Sequence, residues 1–376
     1  MTPLRSPLMG ACLATVLGLT VARPLAAQEM DHSQHMANDM ASAHTAGHHG
    51  AHTAPIGVMA DHVLPKGRWM LSYRFMQMQM AGSRDGTTSL TPEEIVTTVP
   101  NPFGMPPTLR VVPTDMTMRM HMVGAMYGLT DKITLMAMAN ILTNEMDHIT
   151  FQGGMGTTRL GEFTTKSSGF SDTSIGAIFG LYEGEKAHQQ LNFSLMLSLP
   201  TGSISQTDDI LTPMNTRPSP RLPYPMQLGS GSFDLRPGLA ASTRLGDWSM
   251  GAQVMGTLRM NDNDADYRLG DAGMITAWAA YQFAPWVSAS GRLEARHQGK
   301  IRGQDPMIMA PVQTADPDNQ GGETITALLG VSLAGQQGWM KGNRLSVEFG
   351  LPLYRNLSGP QLETDWTLTV GLQKAF

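Results

Sequence analysis

Apolar and polar side chains alternate at a period of two in segment after segment of this chain, up to its last residue. In Trp366-Thr-Leu-Thr-Val-Gly-Leu-Gln-Lys-Ala-Phe376, residues Trp366, Leu368, Val370, Leu372 and Phe376 share one face. Thr367, Thr369, Gly371 and Gln373 share the other, and Lys374 interrupts the apolar face once. A period of two is the signature of a strand with two unlike faces. The same rhythm begins near Lys66, where Trp69, Leu71, Tyr73 and Phe75 alternate with Met70, Ser72, Arg74 and Met76. It returns in Met116, Met118, Met120 and Met122 against Thr117, Arg119, His121 and Val123. It continues near 133–140, 171–182, 189–199, 232–245, 248–260, 272–283, 286–297, 323–334 and 344–354.

With the terminal segment these make about twelve strands, each close to the nine to eleven residues of a tilted membrane strand. No segment approaches about 18 consecutive apolar residues, so helical spans are not expected. The connections sort into two classes. Those near 128–131, 183–187, 246–247, 284–285 and 336–342 are short, whereas those near 81–114, 143–170, 200–231, 261–271 and 298–322 are long and rich in Pro, Gly, Asn and Asp. Such alternation fits a barrel with one end in the periplasm and the other outside. The mean hydropathy of -0.15 and the 40 glycines agree with strands that show one face to lipid and one to water. The reading is therefore all-β, a transmembrane antiparallel β-barrel over residues 63–376. Phe376 is the expected signal to the barrel-assembly machinery, and outer-membrane lipid and lipopolysaccharide are the expected surroundings. A net charge of -5 gives no reason to expect nucleic acid as a partner.

Residues 1–27 read as a signal peptide: Arg5 precedes the apolar run 8–21, and Leu25-Ala26-Ala27 offers a cleavage site near Ala27. The single cysteine, Cys12, lies inside it, so the processed chain has no disulfide framework. Residues 28–62 lack any period and read as a disordered periplasmic tail. Within it Met30, His32, His35, Met36, Met40, His44, His48, His49 and His52 are candidate metal ligands. Imidazoles suit Cu(II), Zn and Ni, and thioethers suit Cu(I), so weakly held copper ions are the expected cargo; no cofactor is required.

Tyr127-Gly-Leu-Thr-Asp-Lys-Ile-Thr-Leu135, Gly169-Phe-Ser-Asp-Thr-Ser-Ile-Gly-Ala177, Leu197-Ser-Leu-Pro-Thr-Gly202, Gly229-Ser-Gly-Ser-Phe-Asp-Leu-Arg-Pro-Gly238 and Leu345-Ser-Val-Glu-Phe-Gly-Leu-Pro-Leu-Tyr354 resemble segments of the outer-membrane transporters named for a MetA pathway of phenol degradation. The resemblance implies an outer-membrane channel for a small, hydrophobic or aromatic solute, and it brings no catalytic residues. The Met/His tail resembles the leader of copper-resistance outer-membrane proteins, which makes metal handling the alternative function.

A charged side chain facing lipid costs about 2–4 kcal/mol at the bilayer midplane. On that ground Arg119 and His121 are expected in the lumen and Met116, Met118, Met120 and Met122 on lipid. Arg74, Met76, Met78, Met80, Met136 and Met138 are expected to line the lumen by parity, with Arg259 and Arg292 helping to constrict it. Asp208, Asp209, Asp262, Asp264, Asp266, Asp316 and Asp318 are loop acids that suit divalent cations bridging lipopolysaccharide. Enzyme activity is not expected: His62, His121, His148, His188 and His297 lie in no recognisable nucleophile context.

Overall fold

The computed structural model describes residues 54–184 and 189–376. The expected signal peptide, and the tail as far as residue 53 with all nine of its candidate metal ligands, lie outside the described residues. Ten strands follow one another around a closed antiparallel wall: β1 Trp69–Gly86, β2 Val111–Thr130, β3 Ile133–Phe151, β4 Thr173–Gly184, β5 Gln189–Leu199, β6 Asp234–Leu245, β7 Trp248–Arg259, β8 Ala272–Ala284, β9 Val287–Gln298 and β10 Gly322–Ala334.

The remaining element, Asn343–Ala375, is a hairpin. Its first arm, β11 (343–357), pairs with β10. Its second arm, β12 (361–375), pairs with β1 from Met70↔Ala375 upward and closes the cylinder. The fold-back shows in three contacts: the Ala375 amide donates to the Gly342 carbonyl at 3.1 Å, Phe349 stacks on Trp366, and Arg355 Nε donates to the Thr364 carbonyl. Gly359, at φ +78, makes the turn. Twelve staves result, and closure leaves no free sheet edge in the bilayer.

The outward face follows the alternation. Trp69, Leu71, Tyr73, Val123, Leu135, Val254, Ile275, Leu329 and Leu372 are exposed around the belt. Aromatic residues gather at the end with the short connections, where Trp69 meets Tyr127 at 4.7 Å and Trp248 meets Tyr281 at 5.0 Å. That is the girdle expected at a lipid–water interface.

Strands β1–β3 are 18, 20 and 19 residues long, about twice the expected span. They continue beyond the belt, and Arg159–Phe170, read from sequence as loop, pairs with the outer half of β3. Its outward residues form polar cross-strand pairs: Thr143 with Ser168 at 3.0 Å, Glu145 with Lys166 at 2.8 Å, and Thr164 donating to Asp147 at 2.5 Å. This part of the sheet stands in water and so carries no apolar face. Loop 87–110 also contains a short helix, α1 (Pro92–Thr98). Thr91 caps it by accepting from the Glu94 amide at 3.3 Å, and Glu94 Oε2 accepts from the Thr91 amide at 2.8 Å. Ile95 and Val96 then bury against Leu109, Val112, Ile149 and Phe151.

Candidate functional site: the barrel lumen

Residues 54–64 do not behave as tail. Ile56, Val58 and Leu64 are only 2–3% exposed, with Ala54 and Ala60 also buried, and the segment runs as a plug through the half of the lumen next to the short connections. Four side chains from different parts of the wall hold its backbone. Arg344 donates to the Ala54 carbonyl at 2.7 Å, Gln253 to the Met59 carbonyl and Asn192 to the Asp61 carbonyl at 2.6 Å, while Thr134 accepts from the Leu64 amide at 2.7 Å. Ala54 and Val58 pack on Trp278. Gly57 passes so close to the wall that a Cβ there would lie 2.3 Å from Arg292. The disordered-tail reading therefore fails for 54–62. The segment lacks a period because each residue meets a different stave rather than one flat surface.

The lumen wall has two unlike sides. On β1, Met70, Met76, Met78 and Met80 point inward with Arg74; on β3, so do Met136, Met138 and Met146. Between them the register sets Met70 opposite Met126, Arg74 opposite Met122, Met76 opposite Met120, Met78 opposite Met118 and Met80 opposite Met116. The methionines of β2 thus face the lumen, and Arg119 and His121 face outward, which reverses the expectation for all of them. His121 shares a 2.8 Å hydrogen bond with the Tyr73 hydroxyl and lies 5.2 Å from the Phe75 ring. Arg119 lies 4.0 Å from Glu145, among the polar pairs above the belt. The penalty for a lipid-facing charge falls to about 0–1 kcal/mol near the interfaces, so at this height it does not set the parity. Arg74, Met76, Met78, Met80, Met136 and Met138 share the face that borders the plug and the methionines of β2.

The facing side, β5 to β11, is polar: Asn192, Ser194, Gln253, Thr276, Arg292, Ser346 and Glu348 are buried there. Arg292 pairs with Glu294 at 2.6 Å and with Glu348. Arg259, also inward, pairs with Asp234. Between plug and methionine wall remains a cavity of about 30 Å³ bordered by His62, Arg74, Met70, Met126, Met136 and Met138. It has room for a water or an ion but not an aromatic ring.

The outer mouth is closed by inward-folded loops. Leu222 and Met226, both 0% exposed, cover Met116 and Met146. Tyr224 meets Tyr267 edge-on at 4.9 Å, and burial raises the Tyr224 phenol above its ordinary range. Arg221 reaches the buried Asp305 at 2.7 Å. Three of the segments that carry the family resemblance meet beneath this cap. Asp172 accepts from the Gly202 amide at 3.0 Å and from the Ser230 amide and hydroxyl at 2.8 and 2.7 Å. Ser232 donates to Asp234 at 2.7 Å. A Cβ on Gly202 would lie 2.7 Å from the Gly229 Cα, so backbones abut there. These residues carry loop 200–233 into the mouth, a role that the sequence reading did not assign to them.

Of the histidines outside the tail, His148 is buried and stacked on Phe163 at 4.6 Å, His297 is exposed near Glu323, and His188 lies outside the described residues. Of the loop acids, Asp318 lies 3.3 Å from Lys300, Asp262 lies 3.3 Å from Arg268, and Asp208 accepts from the Lys166 amide at 2.7 Å. Phe376 is half exposed, and its amide donates to the Trp69 carbonyl at 2.9 Å.

Residues 125–306 match the family described as "Putative MetA-pathway of phenol degradation". Over that stretch, a little under half of its length, the chain is similar to this family. Its barrel is similar to that of the COG4313 outer membrane channel from Pseudomonas putida F1, with a TM-score of 0.56 and 15% identity over 86% of this chain and 100% of that one. Two further structures give TM-scores of 0.41 at 10% identity. One is a Pseudomonas aeruginosa FadL homologue, covering 82% of this chain and 90% of that one. The other is the P. putida toluene transporter TodX, covering 83% and 91%. No curated protein matches the sequence. The shared feature is the fold, a closed antiparallel β-barrel like that of the COG4313 outer membrane channel.

Proposed function

We propose that the barrel carries a small hydrophobic or aromatic solute across the outer membrane, along the methionine side of the lumen once the plug moves. The observation that carries this reading is the thioether surface lining β1–β3 from the plug to the mouth. Methionine is apolar, conformationally adaptable and attracted to aromatic rings by about 0.3–1.5 kcal/mol per contact. A surface of this kind holds a ring weakly at many points, as passage requires. The phenolic family description agrees in chemical class. The reading is transport rather than catalysis, and it includes recognition of Phe376 by the assembly machinery and lipopolysaccharide around the outer rim. Uptake of a phenolic solute into proteoliposomes tests it. Influx should exceed that of protein-free vesicles and should slow when Met118 and Met120 are both changed to glutamate. Equal influx with and without the protein, in vesicles whose plug has been deleted, would refute it.

A further inference from the structure

The cavity beside the plug has sulfur along one side and an imidazole on the other. Met70, Met126 and Met136 form one row across three strands, Met70 opposite Met126 and Met126 opposite Met136. All three are buried and border the cavity. Directly opposed residues hold their Cβ atoms about 4.5–5.5 Å apart, so three flexible thioethers can converge on one point. His62 borders the same space. Its Nδ1 lies 2.8 Å from Asp61 Oδ1, which leaves Nε2 as the nitrogen able to meet a ligand. Asn192, bonded to the Asp61 carbonyl, fixes that turn of the plug. A carboxylate on one imidazole nitrogen with the other left open is how proteins orient a metal-binding histidine.

We propose that Met70, Met126, Met136 and His62 bind a soft monovalent cation of the Cu(I) class at the base of the lumen. Thioethers are soft neutral donors that favour Cu(I) over hard cations. No group of three or more His, Cys, Asp or Glu that could hold a metal occurs among the described residues, so selectivity here rests on sulfur. Asp61 and Arg74 both border the cavity and offset each other, which suits an ion of single charge. The site concerns the plugged barrel and does not depend on which solute the open barrel passes.

The test is an anaerobic titration of Cu(I) into the full-length processed protein in detergent, against a colorimetric chelator. Wild type is compared with the Met126→Leu/Met136→Leu double variant and with His62→Phe. Ligands in residues 28–53 are common to all three proteins, so the difference between isotherms is the readout. Leu for Met nearly conserves volume, and heat-shifted electrophoretic mobility verifies that each barrel has closed. Each variant should lose one Cu(I) equivalent or bind it about tenfold more weakly. X-ray absorption should show a sulfur-rich shell whose nitrogen contribution falls in His62→Phe. Superimposable isotherms for all three proteins would overturn the proposal. If the double variant does not close, Met136→Leu alone decides by the same criterion.

Discussion

The two ends of the lumen are closed by different kinds of contact. At the end with the short connections the plug joins no strand ladder; single side chains of β3, β5, β7 and β11 hold its backbone. At the outer end the cap is built into its loops by buried carboxylates, each serving several donors: Asp172 with Gly202 and Ser230, and Asp234 with Ser232 and Arg259. A neutral hydrogen bond contributes about 0.5–1.5 kcal/mol net, whereas stranding one partner of a buried ion pair costs about 3–5 kcal/mol. On this comparison the plug is expected to be the more readily released of the two closures.

The sharpest way to break this contrast is to remove the plug. Deleting residues 54–64 should raise single-channel conductance in planar bilayers severalfold, because the largest obstruction in the lower lumen is gone; unchanged conductance would place the barrier at the cap. Next, Asp234→Ala leaves Arg259 without its buried partner. A stability loss of about 3–5 kcal/mol is expected, read by denaturant unfolding and by protease cleavage in loop 200–233.

Smaller effects sharpen the contrast. Changing Asn192 and Gln253 together to alanine removes two plug anchors. It should weaken seating by about 2 kcal/mol in total and appear as more frequent openings with unchanged open conductance. Thr91→Ala should cost α1 about 1 kcal/mol, seen as faster hydrogen exchange over 92–98. The Thr91 backbone amide and hydroxyl hold the Glu94 carboxyl below its ordinary value of 4.5. Because the folded-state pKa is lowered, the cap's contribution is present above 4.5 and fades as pH falls through the depressed value. The same exchange experiment in acid should show α1 loosening ahead of the barrel. Smallest of all, Arg119→Gln should alter conductance and stability negligibly, within about 0.5 kcal/mol, since its side chain is outside the lumen.

Most of the cylinder was legible in the sequence because a membrane stave must alternate faces, and the staves and the short connections between them follow from that rule. The rule failed where the bilayer ends. Arg119 and His121 obey the alternation of β2, but its polarity was assigned from charge cost at the midplane, while both sit near or above the upper edge of the apolar belt. Arg159–Phe170 reads as loop because water bathes its outer face. The plug was invisible for another reason: its partners are scattered over the wall, and no period in 54–64 encodes a curved interior. Helix α1 was missed, because its Thr91–Glu94 capping box lies in a proline-rich stretch that reads as an irregular connection.

The plug ends at Leu64, and only four residues separate it from Trp69 on the rim, where the Lys66 amide is tied to Asp131 at 3.0 Å and the Gly67 amide to the Gly128 carbonyl at 2.7 Å. A segment on so short a leash is an intramolecular ligand whose effective concentration is of about millimolar order. Were the plug to leave its seat, rebinding would need no diffusional search.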